Sequence, residues 1–154
     1  MSIWWSLHLR REAASVPLAR RLLLGTMETA GVDPDVSYEL SVALTEACAN
    51  AVEHGGGGGS RGSGGRPSEA YRVTAYLDGE TCRIEVSDSG PGFPGAGDEV
   101  PAAPSGDAEH GRGLRLIEEL ADHVQFGNRA GRSGAVVSFD KLLKWRDGPA
   151  LLLA

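Results

Sequence analysis

Glycine is distributed so unevenly in this chain of 154 residues that it limits where regular secondary structure can form. Eight of the 22 glycines lie within residues 55–69, and seven more lie between Gly90 and Gly113. Residues 55–69 include no apolar residue, so they cannot bury enough surface to offset the entropy lost on ordering. We therefore predict a flexible linker at 55–69 and a mobile loop at 93–110, where Pro, Gly and acidic residues recur.

The composition is that of one globular domain with an acidic surface. Hydrophobic residues make up 41% of the chain, the net charge is -6 and the isoelectric point is about 5.2. An acidic chain lacks the basic face that phosphate contacts require, which argues against direct nucleic-acid binding. No apolar run approaches the roughly 18 residues of a membrane span, so we expect a cytoplasmic protein without membrane contact.

Two small groups of residues need an interpretation. Cys48 and Cys82 lie within a predicted helix and a predicted strand, which favours reduced core residues over a disulfide or a metal site. Four arginines near the first helix are compatible with a solvated face or with a docking surface for a partner. These arginines are Arg10, Arg11, Arg20 and Arg21.

Hydrophobic periodicity predicts eight elements in the order β-α-α-β-β-α-β-β. Ser15 is a candidate N-cap of the first helix and Gly31 ends it, while Asp33-Pro34 supplies the N-cap and first residue of the second. Alternating residues around Asp78-Gly79 are typical of a β-hairpin. This order predicts an α+β two-layer sandwich, with helices on one face of a mostly antiparallel sheet. The predicted elements are strands 3–9, 71–77, 81–86, 123–126 and 135–139 and helices 16–30, 34–54 and 114–120.

The second predicted helix has three polar residues on one face. Glu46, Asn50 and His54 are spaced i, i+4, i+8, so they lie about 40° apart around the axis. This face borders an apolar stripe that we predict to face the core, formed by Leu40, Leu44, Ala47 and Ala51. A carboxylate there can act as a general base, and a carboxamide oxygen can bind Mg²⁺. A polar face turned towards solvent explains the same spacing.

Two short glycine motifs lie further along the chain. Asp88 follows a strand, and Gly90 and Gly92 allow close approach to a planar ligand whose exocyclic amine the carboxylate can bind. Gly111 and Gly113 lie ahead of the predicted third helix, where free amides and the helix dipole favour phosphate. Each motif alone is also ordinary composition for a turn or a helix start.

In this order the three motifs resemble those of the GHKL (Bergerat-fold) ATP-binding domain. The matching residues are Glu46 and Asn50 for its N box, Asp88, Gly90 and Gly92 for its first glycine box, and Gly111 and Gly113 for its second. The resemblance covers most of the chain and implies a single domain with its core at about residues 3–143. It also implies an ATP lid at 93–110 and leaves a C-terminal tail at 145–154.

The resemblance assigns each of these residues a role toward ATP and Mg²⁺. It implies that Asn50 binds Mg²⁺, that Glu46 acts as general base, and that Asp88 binds the adenine amine. Gly90 and Gly92 are expected to line the base. The residues expected to hold the phosphates are Gly111, Arg112, Gly113 and Leu114.

Within this family the chain is most similar to the anti-sigma-factor serine kinases of the partner-switching type. The similarity is carried by the stretches SVALTEACANAVEHG and HGRGLRLIEELAD and by the size of the domain. It implies transfer of the γ-phosphate of ATP to a serine of an anti-anti-sigma (STAS-type) partner, and sequestration of a sigma factor. It also implies a homodimer, and it places Arg20 where the first helix meets its partners.

Two departures from the family pattern favour an alternative function. Ala135 stands where the family commonly has a threonine that helps to hold adenine, and Glu109 and His110 stand where relatives have an arginine. The alternative is a non-catalytic, ATP-dependent protein-binding module that regulates transcription by partner switching.

Overall fold

The computed structural model describes residues 2–54, 70–89, 108–128 and 134–146, with the backbone alone at 108–112. None of the helices in these stretches is long and apolar enough to cross a membrane. The predicted linker at 55–69 lies outside the described residues, as do most of the predicted lid and the chain beyond 146. The elements are β1 (Ile3–Arg10), α1 (Ser15–Ala30), α2 (Pro34–His54), β2 (Ala70–Leu77), β3 (Thr81–Ser87), α3 (Ala108–Leu120), β4 (His123–Asn128) and β5 (Ala135–Leu142).

The five strands form one antiparallel sheet in the order β1-β2-β3-β5-β4. The predicted β2–β3 hairpin is confirmed, and the Asp78 carboxylate accepts the backbone N–H groups of Glu80 and Thr81 at 2.7 Å each. The helices pack on one face of the sheet. The predicted α+β two-layer sandwich is therefore confirmed, and we call the opposite face of the sheet the open face.

The ends of α1 and α2 show which local signals determine helix boundaries. Gly31 ends α1 with φ 88°, and its N–H donates to the carbonyls of Met27 and Glu28, as predicted for a glycine C-cap. Asp33 caps α2 through Oδ1, which accepts the Asp35 N–H at 2.8 Å. The predicted cap at Ser15 is wrong, because Ser15 is the first helical residue and its hydroxyl donates backwards to the carbonyl of Glu12.

The predicted start of the third helix at Leu114 is also wrong. Helix α3 begins at Ala108, so Gly111 and Gly113 lie within it rather than ahead of it, and the last three residues of the predicted lid are helical. The physical reason is that a glycine in a helix interior costs only about 1 kcal/mol. Burial of Leu114 and Ile117 anchors α3 against the rest of the fold and offsets part of that cost.

The core lies between the helices and the covered face of the sheet. Helix α2 contributes the predicted apolar stripe, and α1 buries Ala19, Leu23 and Met27 at intervals of four residues. Leu18 and Leu22, one position earlier, remain exposed. The buried residues of the α2 stripe and of the sheet include Leu40, Leu44, Ala47, Ala51, Val73, Ala75, Ile84, Val86, Val137 and Phe139.

Both cysteines are buried and unbridged, which confirms the prediction of reduced core residues. Burial raises the pKa of each thiol to about 12, so both thiols stay protonated at neutral pH. The Cys48 thiol shares a hydrogen bond with the Tyr71 hydroxyl, which lies 2.6 Å from the Ser15 hydroxyl. This buried polar chain connects α2, β2 and the first turn of α1.

Lys141 holds the C-terminal end of α3 against the sheet. Its Nζ donates to the carbonyl of Leu120 at 2.8 Å and lies 3.7 Å from Glu39 Oε1. We expect Lys141→Met, which keeps the apolar stem, to lower the free energy of unfolding by about 1–2 kcal/mol, because a helix-terminal carbonyl loses a charged donor. Urea unfolding measures the change. The matched control Lys144→Met, at an exposed position, should change it by less than about 0.5 kcal/mol, and equal effects of the two variants would contradict the assignment.

On the open face, His123 Nδ1 lies 2.8 Å from Asp140 Oδ1, and this hydrogen bond raises the pKa of His123 above its usual 6.5. A raised pKa in the folded state adds stability that is fully present below pH 6.5 and is lost as the pH rises through the folded value. Wild type should therefore exceed Asp140→Asn in Tm at pH 6, and the difference should shrink towards pH 9. A difference in Tm that does not change with pH would contradict this linkage, and Glu85→Gln on the same face is the control.

Candidate nucleotide-binding site

Helix α2 places the two N-box residues next to the core. Glu46 and Asn50 are half-buried and lie one helical turn apart, beside the buried residues Ala47 and Ala51. Among buried side-chain nitrogens and oxygens of the described residues, Oδ1 of Asn50 is the one without a hydrogen-bond partner. An unpaired buried polar atom costs about 1–3 kcal/mol. Such an atom fits a site that a cation or another donor completes.

Helix α3 brings the second glycine motif to the same place. A Cβ on Gly113 would lie 3.1 Å from Glu46 Oε2, so the backbone of α3 passes close to the carboxylate. The next residue, Leu114, is buried and holds α3 in this position. The structure thus brings Glu46 and Gly113 together, although they are far apart in sequence.

Asp88 is fixed where β3 ends beside the start of β5. Its backbone N–H donates to the carbonyl of Ala135 at 3.0 Å, and its Oδ1 accepts the Ala135 N–H at 3.1 Å. The residue is 5% exposed, and Gly134 precedes Ala135 with φ 140°. One carboxylate oxygen therefore orients the side chain. The carboxylate has a second oxygen, and an ionised carboxylate can accept several hydrogen bonds.

The other predicted residues fall into three groups. Arg20 is exposed on α1, and His54 is exposed and lies 3.4 Å from Glu53 Oε2. Gly111 and Arg112 lie in the first half of α3, in the part where the backbone alone is described. Gly90 and Gly92 lie outside the described residues.

Two contacts near the site were not predicted from the sequence. The backbone of Ala135 orients Asp88, and no sequence signal marks it because the pairing of β3 with β5 creates it. Arg11 donates to the carbonyl of Val52 at 2.6 Å and so supports the last turn of α2. One of the four clustered arginines therefore has a structural role. The physical basis of this role is the favourable interaction of a cation with the C-terminal end of a helix.

The chain matches the family model of the histidine kinase-like ATPase domain over residues 9–141 and belongs to that family. This membership confirms the class predicted from the three motifs and implies a nucleotide-binding site. A search of curated protein sequences found no match.

Two solved structures show the same fold. One is the crystal structure of the RsbU and RsbW domains of Rv1364c from Mycobacterium tuberculosis, with a TM-score of 0.63 and 20% identity. The similarity covers 94% of this chain, which spans only 33% of that one. The other is the SiaB–SiaC complex from Pseudomonas aeruginosa, with a TM-score of 0.55, 11% identity and coverage of 90% and 89%.

The clamp between Asp88 and Ala135 can be tested through stability. We expect Asp88→Ala to lower the free energy of unfolding by about 1–3 kcal/mol, because the buried Ala135 N–H loses its acceptor. Asp88→Asn keeps a carbonyl oxygen at this position and should lose less. Urea unfolding distinguishes the two variants, and equal losses would show that Oδ1 is not the important acceptor.

Proposed function

We propose that this protein binds Mg-ATP between α2, α3 and the β3–β5 junction and transfers its γ-phosphate to a serine of a protein partner. The unpaired, buried Oδ1 of Asn50, one turn from Glu46, is the observation that carries this proposal. Its position matches a neutral oxygen ligand for Mg²⁺, an ion that proteins commonly hold through one or two side chains together with substrate phosphates.

Each side chain of the site has a distinct task in this proposal. Asn50 helps to hold Mg²⁺, and Asp88 accepts a hydrogen bond from the adenine amine with the carboxylate that Ala135 orients. Gly90 and Gly92 line the base. The phosphates are held by Gly111, Arg112, Gly113 and Leu114.

ATP supplies the phosphoryl group, and Mg²⁺ neutralises charge that develops during transfer. Glu46 holds the acceptor serine hydroxyl and takes its proton as the oxygen attacks the γ-phosphorus. The bond from this phosphorus to the β–γ bridging oxygen breaks, and ADP leaves. The buried neighbours of Glu46 on α2 keep the carboxylate at the edge of the core, where it can point towards the substrate. The proximity of Gly113 to Glu46 supports this role, because the proposed base then lies beside α3, the helix that carries the glycines proposed to bind phosphate.

The proposed partners are an anti-anti-sigma protein of the STAS type and a sigma factor. The structural likeness to RsbW domains and to SiaB in its complex with SiaC supports a protein partner. Arg20 supports a docking role for α1 because its side chain is exposed. We further propose that residues 3–143 form a single cytoplasmic domain that works as a homodimer.

A second candidate function is ATP-dependent binding without phosphate transfer. It is favoured by Ala135, which offers Asp88 only backbone groups where the family commonly has a threonine hydroxyl. Glu109 and His110 favour it too, because they replace an arginine expected to assist transfer. In this function bound ATP creates a partner surface without turnover.

Calorimetric titration with Mg-ATP tests the shared part of both functions. We expect Asn50→Ala to raise the Kd at least about tenfold, which corresponds to about 1.4 kcal/mol. We expect no loss in the free energy of unfolding, because the removed oxygen has no partner within the fold. Gln125→Ala is the matched control, since it removes a carboxamide from the open face. A wild-type protein that does not bind Mg-ATP would contradict both proposed functions.

Labelled ATP and a candidate STAS-type partner separate the two functions. For the kinase, label reaches a partner serine, and Glu46→Gln lowers the transfer rate about 100-fold or more while the Kd for ATP stays nearly constant. For the binding module, ATP promotes complex formation and no label is transferred. That second result would contradict the proposed kinase activity.

A further inference from the structure

The backbone conformation of α3 does not explain why residue 113, which lies close to Glu46, is a glycine. Gly113 is helical and is not among the described glycines with positive φ, which are Gly31 and Gly134. Glycine is also the least favourable helix residue apart from proline. The backbone at this position accepts any residue, so the reason for a glycine must lie in what surrounds the missing side chain.

The space around Gly113 differs from that around the comparable glycines. A Cβ there would lie 3.1 Å from Oε2 and 3.9 Å from Cδ of Glu46. A Cβ on Gly25, Gly79 or Gly127 would have no atom within 4 Å. Ordinary van der Waals contact begins at about 3.4 Å. A methyl group at Gly113 would therefore press on the carboxylate.

The two helices cannot relieve this contact in the same way. Leu114 is 1% and Ile117 is 0% exposed, so moving α3 outwards would open the core. The Glu46 carboxylate is the end of a flexible side chain and can move by a few tenths of an ångström. The carboxylate is therefore the group that shifts.

We infer that Gly113 is a positioning residue. Because it has no side chain, α3 can pack close to Glu46 without displacing the Glu46 carboxylate. This inference rests on the proposed function, in which Glu46 is the base. Proton transfer and alignment depend steeply on distance, and a misplacement of about 1 Å can cost on the order of 100-fold in rate. A small displacement of the carboxylate is therefore enough to lower the rate of transfer.

The steric coupling is tested first without nucleotide, by thermal unfolding. Gly25→Ala is the matched control, because Gly25 lies inside α1 with open space around it. It should raise the Tm by about 3 °C in wild type and equally in Glu46→Ala. Gly113→Ala should raise the Tm by a smaller amount than this in wild type, where the carboxylate must shift, and by the full 3 °C in Glu46→Ala, where the carboxylate is absent.

The functional consequence is tested with nucleotide bound. At saturating Mg-ATP, we expect Gly113→Ala to lower the single-turnover rate of transfer to the partner at least about tenfold. Gly113 is also among the residues proposed to hold the phosphates, so the Kd for Mg-ATP is measured for this variant and the rate is taken at a concentration that saturates it. Gly25→Ala should keep the wild-type values of both quantities.

Two results would overturn the inference: the same Tm gain from Gly113→Ala in both backgrounds, or a wild-type transfer rate in that variant. Failure of the proposed function looks different. It appears as a wild-type protein that does not bind Mg-ATP or transfer its phosphate, while the nucleotide-free unfolding experiment still reports whether Gly113 and Glu46 are coupled.

Discussion

Burial of one face of α2 against the sheet is the constraint on which the rest of the site depends. The stripe that includes Leu44 and Ala47 is fully buried, so α2 cannot rotate about its axis without exposing apolar surface. Glu46 and Asn50 lie on the adjoining strip of the same helix and are oriented by that burial. Hydrophobic packing therefore directs two polar side chains that contribute little to it themselves.

The same packing explains why the site needs distant parts of the chain. Helix α3 reaches Glu46 because its own buried residue, Leu114, holds it beside α2. Asp88 is held by Ala135, 47 residues further along, because β3 and β5 are neighbours in the sheet. The helices and the sheet thus supply the two sides of the proposed nucleotide site, and α2 packs against both α3 and the sheet.

Features set by neighbouring residues were predictable from the sequence. The Gly31 cap, the Asp33 cap and the Asp78 turn each act within three or four residues, and the structure confirms all three. It was harder to predict which apolar residues of a helix are buried where two apolar stripes overlap. In α1, Leu18 and Leu22 lie one position before the buried Ala19 and Leu23, and only packing decides that these two leucines stay exposed.

The start of α3 and the clamp on Asp88 were not predictable for a related reason. Glycines at 111 and 113 indicate a helix start by propensity alone, but tertiary anchoring of Leu114 and Ile117 outweighs a preference of about 1 kcal/mol per glycine. The acceptor role of Asp88 towards Ala135 follows from strand pairing that no local pattern reveals.

Two features that folding alone does not favour meet at Glu46. Asn50 buries an oxygen without a partner, and Gly113 occupies a helical position whose backbone accepts any residue. Either substitution to alanine removes a local disadvantage, so stability alone would select against both residues. Sequences tend to depart from local consistency at functional sites. Gly113 lies beside the Glu46 carboxylate, and Asn50 lies one helical turn from Glu46. Both departures therefore support the proposal that the chemistry takes place at Glu46.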